Sequence, residues 1–425
     1  MELGTHVYIA AIIFILTYVF IISEKINRTS VALLGATIML ISKVIHQEAA
    51  FQSIDFNTIG LLIGMMIIVT ITKRTGVFQY VAIKAAKSAK GDPWKIILYF
   101  SIITAISSAL LDNVTTVLLI TPVTLVITET LELNPIPFLI PEILIANIGG
   151  TATLIGDPPN IMIGSATNLG FVDFVLNLAP IVIIIFTLVI FILKKIYKKD
   201  LQVKKELKEK IMGFDENKSI EDKLLLKKSL IVLLLTILGF TLHQFIGLES
   251  ATVALTGAAI LLVISKVEPE EIFLEIEWST IFFFAGLFVL VGALEEVGII
   301  ESLAKGVINL TKGNLFFTTI LILWVAAIAS SFIDNIPFVA TMIPLIKSIG
   351  AMSAISITPL WWALALGACL GGNGSLVGAS ANVIVAGMLQ KTEYKISFID
   401  FLKVGFPIMI ITIMISTIYL TVFYI

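Results

Sequence analysis

The sequence predicts an all-α integral membrane protein made of two inverted-topology repeats. Three observations predict it: an apolar composition, a series of helix-length apolar runs, and an internal repeat whose polar residues recur at one offset. The 425 residues are 58% hydrophobic and 14% charged, with a mean hydropathy of +1.05. Soluble domains carry about 25% charged residues, so this is membrane composition. A net charge of −2 excludes a broadly basic, nucleic-acid-binding surface. The one cysteine, Cys369, permits neither an intramolecular disulfide nor a cysteine-based metal cluster.

A helix needs about 20 apolar residues to cross the hydrocarbon. Simple spans are read at 6–22, 29–45, 56–72, 178–193, 229–246, 250–265, 278–293 and 404–424. The first has its basic residues, Lys25 and Arg28, after it rather than before, and reads as a retained span instead of a leader. Two longer apolar regions are interrupted by Asp-Asn pairs and read as re-entrant hairpins, 96–128 and 315–349. Two more are interrupted by glycine-rich polar stretches and read as broken helices, 138–167 and 358–390. These give a first repeat over 1–193, a charged linker over 194–228 and a second repeat over 229–425. Short amphipathic helices lying along the membrane are expected at 81–90 and 301–310, and Trp361-Trp362 is expected in an interfacial aromatic belt.

The repeat is carried by an offset of 222 residues. It maps Asp112-Asn113 onto Asp334-Asn335, Pro122 onto Pro344, Gly149-Gly150 onto Gly371-Gly372, Gly156 onto Gly378 and Asn160 onto Asn382. Apolar residues coincide by chance in such a sequence; Asp-Asn, Gly-Gly and Pro do not. Five spans and one hairpin per repeat is an odd number of crossings, so the second repeat is inverted. With both termini outside and the 194–228 linker cytoplasmic, 24 of the 28 Lys and Arg residues fall in cytoplasmic segments, as positive residues do in a prokaryotic plasma membrane.

Inverted repeats with helices broken at mid-membrane are the architecture of secondary transporters, because breaking a helix frees backbone groups to replace an ion's water. The first loop runs from Asn147 through Gly149, Gly150, Thr151, Thr153, Gly156 and Asp157 to Asn160. Its counterpart holds Gly371, Gly372, Asn373, Ser375, Gly378, Ser380 and Asn382, with Ala379 in place of Asp157. Close helix packing would account for the glycines but not for the clustered Thr, Asn and Asp, so these residues are the candidate ion ligands. The hairpin tips add Asp112, Asn113, Thr115 and Thr116 in one repeat and Asp334 and Asn335 in the other. A carboxylate at membrane depth is costly and marks function by default, although Asp is also a helix cap. HExxH and GxSxG motifs are absent, and no enzyme activity or resident cofactor is expected.

At these tips and loops, above all Leu110 to Leu119 and Asn147 to Asn160, the sequence resembles the ion transporter superfamily, nearest its P-protein and arsenite-permease-like branch. That superfamily also includes D-type sodium–proton antiporters and citrate and dicarboxylate transporters. The resemblance implies a homodimer in the bilayer whose transport domain shifts like an elevator against a scaffold. It implies sodium sites at Asn113, Thr151 and Asp157 and at Asn335, Asn373 and Ser375, with sodium or protons as coupling ions. The dicarboxylate transporters carry Ser-Asn-Thr tips, whereas here Asp precedes each Asn and the second tip continues Ile336-Pro337, with no Thr directly after Asn. Three core carboxylates with no Lys or Arg beside them disfavour a dianion. Sodium–proton antiport is therefore the leading expectation. Arsenite, antimonite or other oxyanion efflux follows, with an ATPase subunit as a potential partner, then sodium-coupled citrate or dicarboxylate uptake, and, from another class, an ion channel.

Overall fold

In the computed structural model, residues 2–23, 25–198, 201–390 and 392–425 are described. Lys199 and Asp200 of the linker and Lys391 of the charge count lie outside them. The described residues form helices and no strands, which is how a chain satisfies its backbone in hydrocarbon without closing a barrel. Ten helices are long and apolar enough to cross a membrane among the described residues.

The repeat is reproduced element by element. In the first half α1 (Glu2–Ser23), α2 (Arg28–Ile41), α3 (Gln47–Gln52) and α4 (Phe56–Lys73) are followed by α5 (Val77–Ser88). The hairpin is α6 (Pro93–Leu110) and α7 (Asn113–Thr130); the broken helix is α8 (Ile136–Gly150) and α9 (Pro158–Ala166); α10 (Phe171–Tyr197) closes the repeat. After α11 (Lys205–Met212) in the linker come α12 (Lys223–Leu242), α13 (Ser250–Ser265), α14 (Pro269–Leu274), α15 (Trp278–Glu296) and α16 (Ile299–Thr311). The second hairpin is α17 (Leu315–Phe332) and α18 (Asn335–Met352), followed by α19 (Thr358–Gly371), α20 (Ser380–Leu389) and α21 (Phe398–Phe423). Polar caps start many of these helices: Asn27 accepts from the amides of Thr29 and Ser30, and Asp55 from those of Asn57 and Thr58.

Two groups of helices result. A framework pairs α4 with α13 and α2 with α15, each across the repeat boundary. Gly64 meets the Ala254 backbone and Gly286 the Ala32 backbone, positions related by the repeat, and a Cβ at either would prevent that approach. A core group sets each hairpin on its own broken helix, α6 on α8 and α17 on α19, with α10 and α21 packed alongside. The halves then interlock, α7 with α20 and α18 with α9. The linker follows the end of α10, whereas the Tyr424 hydroxyl near the C-terminus donates to Asn177 near the start of that helix (2.5 Å), so linker and C-terminus lie toward opposite ends of α10.

Framework and core are joined by α5 and α16. Each is preceded by a glycine in the left-handed region, Gly76 (φ 77°) and Gly298 (φ 78°). The linker folds back onto α5: Glu221 N–H donates to the Thr75 carbonyl (3.1 Å), and Lys87 pairs with Glu216 and donates to the Phe214 carbonyl (2.9 Å). Leu207 and Ile211 of α11 join a small apolar cluster with α5 to α7. Trp361 and Trp362 are buried rather than interfacial, Trp362 edge-on to Phe174 at 5.2 Å, because α19 is enclosed by α8, α9, α17, α18 and α21.

Candidate functional site

The tips start from one design and diverge at one residue. Asp112 caps α7, accepting from the Thr115 amide and hydroxyl, both at 2.6 Å. The repeat places Pro337 opposite Thr115, with neither N–H nor hydroxyl to offer. Asp334 retains one cap bond, from the Ile336 amide at 3.3 Å, and its other oxygen faces Arg28 and the Ser380 hydroxyl (2.9 Å).

The broken helices are tied in matching ways. Ser108 and Ser330 donate to the Ala146 and Ala368 carbonyls, both at 2.6 Å. Asn160 donates to the Thr151 and Thr153 carbonyls (3.1 and 2.8 Å), and Asn382 to those of Gly372 and Ser375 (2.8 and 2.9 Å). Gly150 lies against Gly156 and Gly372 against Gly378, while Gly149 and Gly371 meet the Ala105 and Ala327 backbones. Asn160 also receives the Cys369 thiol at 3.6 Å.

Asn147 accepts from Asn113 of its own half (3.1 Å) and, across the halves, donates to Asn373 (2.9 Å) and Asn382 (3.0 Å). Asn373 in turn donates to the Leu144 carbonyl at 3.1 Å. Asn335 faces Asp157 at 3.3 and 3.5 Å, with Asp157 only 1% exposed. This grouping differs from the expected one, in which Asn335 belonged with the Asn373–Ser380 loop. Packing of α18 on α9 sets the second tip beside the first loop. The Thr151 hydroxyl donates to Asn147 O (2.8 Å) and the Ser375 hydroxyl to Ser331 O (2.5 Å), so both hydrogens are spent on backbone. The Thr116 hydroxyl is buried without a partner.

Asp112, Asp157, Glu277, Arg28, Asn335 and Ser380 line one pocket. Arg28 overturns the expectation of carboxylates without a nearby cation. It reaches Asp334 and Ser380 (3.0 Å) from the start of α2, with its guanidinium 5.0 Å from the centre of the Phe283 ring. Glu277, at the start of α15, sits in none of the sequence motifs. Both come from framework helix ends on the linker face, so the pocket lies toward that face. Among the described residues no three His, Cys, Asp or Glu side chains group closely enough to hold a metal ion.

The citrate transporter family profile (CitMHS) matches residues 18–367. The chain is 44% identical over 97% of both chains to a 46 kDa membrane protein of Mycobacterium leprae. It is 43% identical, again over 97% of both, to an uncharacterized transporter of Mycobacterium tuberculosis. It is 36% identical to the human P protein over 98% of this chain, which spans 60% of that longer protein. Among solved structures, the YdaH transporter of Alcanivorax borkumensis superimposes with a TM-score of 0.58 at 13% identity, covering 86% of this chain and 85% of that one. At that identity the likeness concerns the fold.

Proposed function

Since the chain belongs to the CitMHS citrate transporter family, within the ion transporter superfamily, and is a multi-pass membrane transporter, we propose that it is a cation-coupled secondary transporter exchanging sodium for protons. One observation carries this reading: Asp112, Asp157 and Glu277 share a pocket whose one cation, Arg28, is already paired with Asp334. Each charge at membrane depth costs about 3 kcal/mol, and a cation or proton bound among the carboxylates offsets that cost. Either occupant neutralises the same groups, so the two compete, which is the requirement for exchange. The core group would carry the pocket past the framework, with α5 and α16 as connecting arms, in a homodimer. With the linker cytoplasmic, as its basic residues suggest, the pocket is inward-facing.

A second reading has an observation of its own. Ala379 leaves the N-terminus of α20 without a carboxylate cap, and Ser380 there lies beside Arg28. This corner attracts anions, and protonation of Asp334 would free Arg28 for a substrate carboxylate. Proteoliposomes with an internal pH dye, pulsed with sodium, arsenite and succinate in parallel, separate the readings. Sodium-triggered proton movement, lost in Asp157→Asn, supports exchange. Proton movement with succinate alone, lost in Arg28→Gln, replaces it with anion uptake, and movement with arsenite alone replaces it with metalloid efflux.

A further inference from the structure

Away from this pocket, α8 carries a carboxyl group to which no motif points. Glu142 is 2% exposed, with its oxygens at 2.6 Å from the Thr121 hydroxyl and 2.8 Å from that of Thr124, both on α7. On α6, the Ser101 and Thr104 hydroxyls are buried without partners. The contacts of Ala105 with Gly149 and of Ser108 with Ala146 set the register of α6 on α8. One turn back along both helices, the second contact sets Thr104 opposite Glu142 and the first sets Ser101 opposite Ile145, the next turn of α8.

The second repeat shows what the fold itself requires here. The positions matching Ser101, Thr104, Thr121, Thr124 and Glu142 are Leu323, Ala326, Ile343, Ile346 and Leu364. All five are buried and apolar. The same hairpin on the same broken helix is thus built without a polar atom at any of them. Burying the Ser101 and Thr104 hydroxyls without partners, and a carboxyl without a cation, costs stability unless they bind something, and a set absent as a unit from one repeat points to a role other than folding.

We propose that Glu142, with the hydroxyls of Thr121, Thr124, Ser101 and Thr104, is a second monovalent-cation site, holding a proton or a sodium ion inside the core group. No described cation pairs with Glu142. Of the helices packed on α8, α20 has no charged residue and α19 only the thiol of Cys369. On α6 there are Lys95 and Tyr99, on α7 Glu129, and on α10 Asp173, Lys194, Lys195 and Tyr197, all but Tyr99 within a turn of a helix end. A carboxylate so placed requires a counter-ion, and a carboxyl with four hydroxyls, all oxygen without nitrogen or sulfur, suits a hard cation or a proton. The site stands whichever substrate the main pocket takes.

The test is infrared difference spectroscopy of the full-length protein in detergent, titrated between pH 5 and pH 9 and with sodium chloride at fixed pH, and it requires no transport. The expected result is a protonated-carboxyl band in wild type that is missing from Glu142→Gln. Its removal by sodium at constant pH identifies a sodium–proton site, and indifference to sodium a proton site. Identical wild-type and Glu142→Gln spectra overturn the proposal. The triple replacement Thr121→Ile, Thr124→Ile, Glu142→Leu copies the second repeat and should fold with wild-type helix content while losing the same band. Failure of that variant to fold overturns the proposal as well, because the polar set would then be structural.

Discussion

Arg28 of the framework is ion-paired with Asp334 at the tip of the second hairpin, so one contact joins the two helix groups on the linker face. The pair is partly accessible, Arg28 being 33% exposed and Asp334 13%, which makes it a breakable latch rather than a fixed strut.

Breaking the latch from either side should have the same effect. Arg28→Gln and Asp334→Asn should each lower detergent thermostability, and the double variant should lose less than the sum. A coupling of about 0.5–3 kcal/mol is typical of residues in contact. Additive losses in the double-mutant cycle would show that the pair contributes nothing.

Asn147 joins the halves through two amides, Asn373 and Asn382, and holds Asn113 of its own half. Asn147→Leu removes a partner from both Asn373 and Asn382, and each buried orphan costs about 1–3 kcal/mol. Asn147→Leu should therefore express poorly or melt far below wild type, while Asn147→Asp retains acceptors only and should fall between them. A wild-type melting temperature for Asn147→Leu would contradict this account.

Gly76 and Gly298 share a backbone conformation but not a neighbourhood. At Gly298 nothing lies near an added Cβ, whereas at Gly76 it would collide with the Ser219 carbonyl. Gly298→Ala should cost only the left-handed penalty, about 1–2 kcal/mol. Gly76→Ala should cost more and also displace the linker, seen as faster protease cleavage within 201–222. Equal melting shifts and equal cleavage rates would show that the linker does not need that glycine.

The linker clasp should also sense acid. Lys87 holds the Glu216 carboxyl below its ordinary range, first through their hydrogen bond. A lowered folded value means that the stabilisation is complete above the ordinary glutamate range, near 4.5, and is lost as pH falls through the lowered value. Linker protease resistance should stay constant from neutral pH down to about pH 5 and decline only in stronger acid. Glu216→Gln should show the acid level of cleavage at every pH.

What could be read from the sequence was what repeats. Apolar runs and recurrent Asp-Asn, Gly-Gly and Pro signals mark hairpins and broken helices, because lipid leaves the backbone few alternatives. The unread residues are those that break the repeat. Arg28 has Ser250 as its counterpart, Glu142 has Leu364, and neither sits in a motif. Arg28 looked like one more basic residue after a span, and only the fold sets it 306 residues away against Asp334. Glu142 did leave a signal, a lone acid in the apolar run 136–150 with leucine at the matching place. Trp361-Trp362 misled because aromatic pairs near a span end look alike whether they face lipid or other helices.

The linker clasps α5, while among the described residues α16 has no comparable strap, and so as connecting arms in the proposed shift the two would be hinges of unequal stiffness. A symmetric pair of hinges would leave the moving group equally at ease at either end of its travel. Here only one arm carries a linker splint among the described residues, so in the proposed shift a displacement of the core in one direction would work against the splint and in the other with it. On the proposed elevator-like shift, the chain would carry a preferred parking position set by its own mechanics, on which ion gradients would then act.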